Sequence, residues 1–514
     1  MFERIPIASW PVVAGLALVV LLAYRFWASG PRAPGPFLAR FTDLWLASRQ
    51  IKGDFQIENV ELHKKYGKIV RLGPNYYSFD DPSAVKTIYG HGTQYQKSEW
   101  YEIWNTRPDM HSTNLFALRD IKRHSTMRRH YSNVYAMSSL VSYEPYVNNC
   151  IDIFTSRLRM CTKSGESIDL SKWFQYYAFD VIGEITYSKR FGFLEKGIDM
   201  FGMIKTISGV LEWSHAAGFF RPLVALTRFL ARRDTTEGVG KLAAFTMERI
   251  EQSKKDSLNG YDDPERQAAT QPDFASKLLA QAEAAQRGDK GLDGGIEPIQ
   301  LVMGACSGNV FAGSDTTSIS LNATYYNIIK HPRVQARLRA ELDGAHARGA
   351  LSEPPSFAET QALPYLQAVL KEALRVHPAV GLCLWRAVPA GGATLCGRYF
   401  PAGTNVGVNC WVAHRNREVW GEDADEFRPE RWLEAPEERL RAMNAMYMPF
   451  GLGSRTCIGK NISLLEISKV IPHLVRKFDA SLVEPLSKMP GLPSYTAWFV
   501  GIKDFRVNVK PRLE

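Results

Sequence analysis

The chain opens on an apolar run. Ile5 to Tyr24 is twenty residues without a charge, bracketed by Arg4 and Arg25. A helix of that length spans a hydrocarbon core, and Trp10, Tyr24 and Trp27 lie where interfacial aromatics sit. A cleaved signal peptide is the rival reading, although its apolar region would be shorter. Pro31, Pro34 and Pro36 then make residues 28–36 a stiff spacer rather than a helix. Beyond it, Lys68–Leu72 alternates, Gly73-Pro74-Asn75 turns, and Tyr76–Phe79 returns, which predicts short strands. From about residue 140 apolar positions recur every three or four residues, as in Val147–Leu158 and Phe174–Ile185, and predict helices. A long apolar helix is expected over Pro298–Ile329, and another from Lys460 to Val470, with Pro472 expected to kink or end it. Ser257–Pro272 and Gln286–Gly295 are polar, proline- or glycine-bearing stretches and should be loops. Neither divides the chain into separate cores, so residues 37–514 are expected to form one mostly α-helical domain with small β-sheets.

Charge and cysteine usage narrow the partners. The chain has 514 residues, a net charge of +10 and seven cysteines. With no basic–aromatic repeat and no finger spacing, nucleic acid is not the expected partner. An acidic protein or anionic lipid headgroups fit the basic balance better. No cysteines have Cys-x-x-Cys spacing, which argues against zinc, and an odd, low count argues against a disulfide framework. A reducing compartment follows, with Cys457 as the functional thiol.

Cys457 stands in Phe450-Gly451-Leu452-Gly453-Ser454-Arg455-Thr456-Cys457-Ile458-Gly459, directly before a helical pattern. Glycines permit a sharp bend and close approach to a flat ligand. A thiolate at a helix N-terminus is favoured by backbone N–H groups, and haem iron is one partner it can hold. Ala312-Gly313-Ser314-Asp315-Thr316-Thr317 breaks the long apolar helix with polar groups that are costly to bury unsatisfied; helix packing is the bland reading. Glu372 and Arg375 stand at i and i+3, which alone describes an ordinary surface ion pair.

Taken together, and in this order, these segments resemble the cytochromes P-450, closest to fungal membrane-bound members such as pisatin demethylase and benzoate 4-monooxygenase. Phe-x-x-Gly-x-Arg-x-Cys-x-Gly resembles the family's haem-binding loop, with Phe450, Gly451 and Gly459 shaping it. The resemblance implies a haem-thiolate fold carrying haem b (iron-protoporphyrin IX), with Cys457 as the axial iron ligand. It implies that Thr316 positions a proton donor over the iron while Asp315 links that site to solvent. Glu372, Arg375 and Arg431, the last in Phe427-Arg428-Pro429-Glu430-Arg431-Trp432, would form a buried network holding the fold. Haem propionates need cationic or donor partners, and Arg455, Arg386, Arg128 and His124 are the expected ones. His124 stands where the family usually has tryptophan. Substrate contacts are expected from Trp100–Leu118, Gly209–Phe220, Val302–Phe311, Val380–Leu384 and Tyr495–Phe499.

The implied function is monooxygenation: one atom of O₂ enters an apolar small molecule, with electrons from NADPH-cytochrome P-450 reductase and, optionally, cytochrome b5. The implied setting is fungal secondary metabolism, with a single-pass anchor in the endoplasmic reticulum membrane and the body in the cytosol. A haem-thiolate isomerase or dehydratase that does not use O₂, or a non-enzymatic haem sensor, are the competing readings. Neither needs the Asp315–Thr316 pair.

Overall fold

A computed structural model describes residues 33–105, 114–231, 239–258, 272–288, 296–484 and 491–512, together with residues 15 and 20. The expected anchor at 5–24 otherwise lies outside the described residues, as do the first residues of the spacer and most of the two expected loops. Among the described residues no helix is long and apolar enough to cross a membrane. The end of the spacer is packed rather than free. Ala33 is buried, the Arg71 N–H donates to the Pro34 carbonyl at 2.8 Å, and a Cβ on Gly35 would meet the Arg71 carbonyl at 2.4 Å.

The expected strands form where alternation and the Gly-Pro-Asn turn place them. β1 (Ile69–Gly73) and β2 (Tyr76–Phe79) pair antiparallel. They continue into β3 (Gln96–Lys97), β4 (Arg386–Ala387) and β5 (Asn405–Gly407), in the spatial order β1-β2-β5-β4-β3. This sheet joins the start of the chain to a segment some 300 residues later. It also sets Lys97 opposite Arg386 on neighbouring strands. Near the C-terminus β6 (Ser494–Ala497) and β7 (Phe499–Ile502) form a hairpin with Trp498 at its tip.

The rest is mostly helix. The helices that build the site are α1 (Leu44–Ile51), α2 (Ile121–Ser132), α3 (Glu144–Ser164), α4 (Leu170–Tyr187), α5 (Met203–Ala217), α6 (Arg221–Ala231), α7 (Pro298–Lys330), α8 (Pro364–Val376) and α9 (Lys460–Lys477). α7 is the central rod: it lies along α4 and also packs on α8 and α9. Proline takes the first turn of α7 and of α8, where its missing N–H costs nothing. The Asp120 carboxylate caps α2 by accepting from Arg123 N–H at 2.7 Å.

Of the two outcomes expected at Pro472, a kink or an end, the end does not occur: α9 continues through the proline to Lys477. Ile462 to Val475 is almost wholly buried, so packing on both sides of the proline outweighs the lost backbone hydrogen bond.

Candidate functional site

α7, the Cys457 loop, β4, the β6–β7 hairpin and the segment after β3 together enclose a cavity of about 450 Å³. Every expected substrate segment contributes to its wall: Trp104 and Phe116, Val210 and Leu211, Phe311, Val380 and Leu384, and Trp498 with Phe499. Residues 106–113 of the first segment lie outside the described residues. The aromatic rings meet mostly edge to face. Trp104 and Phe116 are 5.7 Å apart, Phe116 and Trp498 5.7 Å, and Trp498 stacks on Trp100 at 5.0 Å. Trp498 holds φ at 76°, a conformation that a bulky residue rarely adopts.

Cys457 sits in the bend between a 3₁₀ turn, Gly453–Arg455, and the N-terminus of α9. Its N–H donates to the Phe450 carbonyl at 2.8 Å, which closes the loop. Two glycines are required. Gly451 and Gly453 have φ of 68° and 63°, and a Cβ on Gly453 would lie 1.9 Å from the Tyr89 carbonyl oxygen. Gly459 differs: its φ is −80°, and a Cβ would make ordinary contact with the Cys457 sulfur at 3.9 Å. The sulfur is open to the cavity yet enclosed by protein. Burial pushes the thiol's pKa up; the Gly459 and Lys460 N–H groups and the charges of Arg128 and Lys460 act in the opposite direction.

Beside it the fold gathers cations. Arg455 donates to the Leu118 and Arg119 carbonyls at 2.6 and 2.7 Å, and Arg128 to the Thr456 carbonyl at 2.7 Å. Arg386 donates to the Trp385 carbonyl at 3.0 Å and lies over the Tyr89 ring. Lys97 donates to the Phe116 carbonyl and lies over the Tyr101 and Phe116 rings. Together with His124, all of them line the cavity. Burial is the main cause of every shift here, and the neighbouring cations add to it. Lys97 falls well below the ordinary lysine value, His124 to about 2 and Arg455 to about 10. No carboxylate raises Lys97 or His124 among the influences on them. Like charges directly across a strand pair, Lys97 and Arg386, are destabilising unless an anion meets them. The donor set therefore fits a flat, largely apolar group carrying two carboxylates, with a thiolate for its metal. Haem has that chemistry. Lys97 is absent from the sequence-based set; its one signal is an isolated lysine among Tyr95, Trp100 and Tyr101.

On α7, Thr316 lines the cavity and its hydroxyl donates to the Ala312 carbonyl at 2.8 Å. Asp315 does not line it; it is buried and accepts from Gln175 Nε2 at 2.7 Å. Burial raises its pKa to about 6, and the Gln175 hydrogen bond opposes the rise. Thr317 also borders the cavity, but its hydroxyl donates to Ser463 of α9 at 3.1 Å. A Cβ on Gly313 would touch Ile182 of α4 at 3.3 Å, so this glycine lets the two helices approach.

Behind the loop, the Glu372 carboxylate accepts five hydrogen bonds. Arg375 gives two, at 2.8 and 2.9 Å, Arg431 one at 2.8 Å, Trp432 one at 2.9 Å and the Arg428 N–H one at 3.0 Å. Glu372, Arg375 and Arg431 are 0, 0 and 2% exposed, so this is no surface pair. Arg375 also donates to the His414 carbonyl at 2.7 Å, and His414 Nε2 accepts from the Met448 N–H at 2.9 Å. His414, unforeseen in the sequence, thus couples the network to the segment leading into the cysteine loop.

The comparisons agree with this architecture. The cytochrome P-450 family profile matches residues 31–496. A cytochrome P-450 monooxygenase of Aspergillus terreus is 38% identical over 90% of this chain and 93% of its own length. Another, of Penicillium aethiopicum, is 37% identical over 88% of both chains. Pisatin demethylase of Fusarium vanettenii is 36% identical over 98% of this chain and 95% of its own. The thiolate loop, the cation cluster and these likenesses converge: the chain belongs to the cytochrome P-450 family, a haem-thiolate monooxygenase that takes a redox partner, O₂ and a small-molecule substrate.

Proposed function

We propose that this enzyme hydroxylates, or otherwise monooxygenates, an apolar small molecule in fungal secondary metabolism, with electrons from NADPH-cytochrome P-450 reductase and cytochrome b5 as an optional second donor. The aromatic and aliphatic wall of the cavity supports an apolar substrate. In this reading residues 5–24 anchor the chain once in the endoplasmic reticulum membrane, residues 28–36 lead out of it, and residues 37–514 form the catalytic domain in the cytosol.

Cys457 holds the iron of haem b in the bend framed by Phe450, Gly451 and Gly459. Arg455, Arg128, Arg386 and His124, joined by Lys97, receive the propionates. When bound, haem supplies the binding and reduction of O₂, and the net reaction joins substrate, O₂, two electrons and two protons to give oxygenated product and water. The protein's part is to deliver the two protons to an apolar cavity without flooding it.

The observation that carries this reading is the Thr316 hydroxyl on the cavity wall, with a buried acid next to it in sequence. Rotation about Cβ–Oγ1 turns the hydroxyl hydrogen from the Ala312 carbonyl to the cavity and leaves the oxygen in place. Asp315 points about 100° away, as consecutive helical positions must, and reloads the relay from the side away from the cavity. Thr317, committed to Ser463, is not a substitute donor. Thr316→Ala should keep the fold and substrate affinity, while product per NADPH falls about tenfold or more and hydrogen peroxide rises in its place. Product, peroxide and NADPH are measured together. Unchanged coupling in both Thr316→Ala and Asp315→Asn would overturn the relay, and product formed without NADPH consumption would favour isomerase or dehydratase chemistry.

A further inference from the structure

Asp315 is the buried acid of α7, and its side-chain partner is not a cation but the side-chain amide of a second helix. Gln175 stands one turn into α4, half-buried, and its Nε2 reaches Asp315 Oδ1 at 2.7 Å. Burial and this hydrogen bond are the two influences on the carboxyl. Among the described residues, no charge on the helices packed against α7 adds to them. That holds for Lys172, Asp180 and Glu184 of α4, for Glu372 of α8, and for Glu466 and Lys469 of α9. It holds too for Glu248 and Arg249 of the Val239–Leu258 helix, and for Lys277 and Glu283 of the Phe274–Arg287 helix.

We propose that Gln175 is a positioning residue for the proton relay: its neutral amide holds Asp315 by Oδ1, so that a proton taken from solvent sits on Oδ2 and can be passed on. This rests on the reading of Asp315 and Thr316 given above. The physical argument turns on the charge of the partner. Lysine or arginine at this distance would hold the carboxyl ionised, which suits a fixed structural ion pair. An amide donor bonds to either protonation state, because the carbonyl oxygen of the acid also accepts, though less strongly than the carboxylate. With Oδ1 occupied, the acidic hydrogen is confined to Oδ2. One proton then leaves Oδ2, the carboxylate remains held by Gln175, and one proton from solvent restores the acid; no electrons move. Burial keeps this cycle close to neutral pH, with Asp315 at about 6.

The test uses the full-length holoenzyme and two readouts. The first is infrared: the carbonyl stretch of a protonated carboxylic acid, assigned as the band that Asp315→Asn lacks, is followed against pH. The wild-type band should vanish with a midpoint near 6. Gln175→Lys should move that midpoint down by about one to three units, the effect of an adjacent cation on a carboxyl. Gln175→Leu, which adds no charge, should move it up and shift the band frequency, because the opposing hydrogen bond is gone. The second readout is product per NADPH against pH. It should fall as pH rises through the wild-type midpoint, and the fall should come at lower pH in Gln175→Lys by the same amount. An infrared midpoint unmoved in both Gln175 variants overturns the proposal. If instead Asp315→Asn leaves coupling unchanged at every pH, the relay reading fails, and the infrared midpoints still decide whether Gln175 governs the carboxyl.

Discussion

His414 shows how much one side chain can be asked to do. Its Nδ1 is 2.9 Å from the Arg375 carbonyl and its Nε2 accepts from Met448 N–H, so the ring must be neutral with its hydrogen on Nδ1. Burial, helped by the Arg375 charge, depresses its pKa to about 3. The folded value lies below that of an unfolded histidine. The neutral ring's contribution is therefore complete above about pH 6.5 and is lost as pH falls, because the unfolded chain takes up the proton first. Between about pH 6 and 4 the wild type should lose about 1.4 kcal/mol per pH unit more than His414→Gln. Urea unfolding of both proteins at several pH values measures it, and parallel stability curves would refute the assignment. Nothing in the sequence around Ala413-His414-Arg415 announces this role. It depends on a carbonyl 39 positions away and an N–H 34 positions away, brought together only by the fold.

The elements divide by how local their causes are. The strands at 69–79, the helix at 298–330 and the cysteine bend were legible because alternation, 3.6-residue periodicity and glycine each act within a few residues. Local logic left Pro472 either to kink or to end its helix, and the end does not occur because α9 draws its stability from neighbours on other helices. The i, i+3 spacing of Glu372 and Arg375 is local too, but the burial that changes its meaning comes from Arg431 and Trp432, about 60 residues on. Removing the Glu372 charge leaves the buried Arg375 guanidinium without its counter-ion and Arg431 with Asp423 alone. Glu372→Gln should therefore cost about 3–5 kcal/mol, the range for breaking a buried pair, and release haem on mild heating. Calorimetry together with haem retention checks it; a loss below about 1 kcal/mol would place the network among ordinary surface pairs. Lys97 and Gln175 were illegible for the opposite reason. Each is an unremarked polar residue in its own segment and gains meaning only against a strand or helix far along the chain.

Across the whole molecule, apolar surface is unevenly spread. Leu44 on α1 is 62% exposed, Trp213 on α5 47%, and Phe229 and Leu230 on α6 48 and 54%. α1 packs on α5, and Trp213 Nε1 donates to Thr227 of α6 at 2.8 Å, so these helices are neighbours. Phe219, just after α5, packs on Tyr76 at 5.2 Å, and Leu223 of α6 packs against the Ile103 cluster. Exposed apolar area of this kind binds interfaces with an energy that scales with its extent. A protein lacking residues 1–27 should still sediment with anionic vesicles, and Trp213→Ser with Phe229→Ser should release it. Truncated protein that stays in the supernatant would show that attachment needs residues 1–27. The fold also leaves one place where change comes cheaply. Trp498 holds a left-handed backbone at the hairpin tip, at a cost of about 1–3 kcal/mol for such strain, and its ring walls the cavity. Glycine there relieves the backbone and enlarges the cavity in one codon change. Most mutations that widen a binding site spend stability to do so; at position 498 part of that loss is returned by the relaxed turn. Divergence toward larger substrates is thus open to this lineage by a short path, and the hairpin tip is the first position to inspect when two such enzymes differ in what they accept.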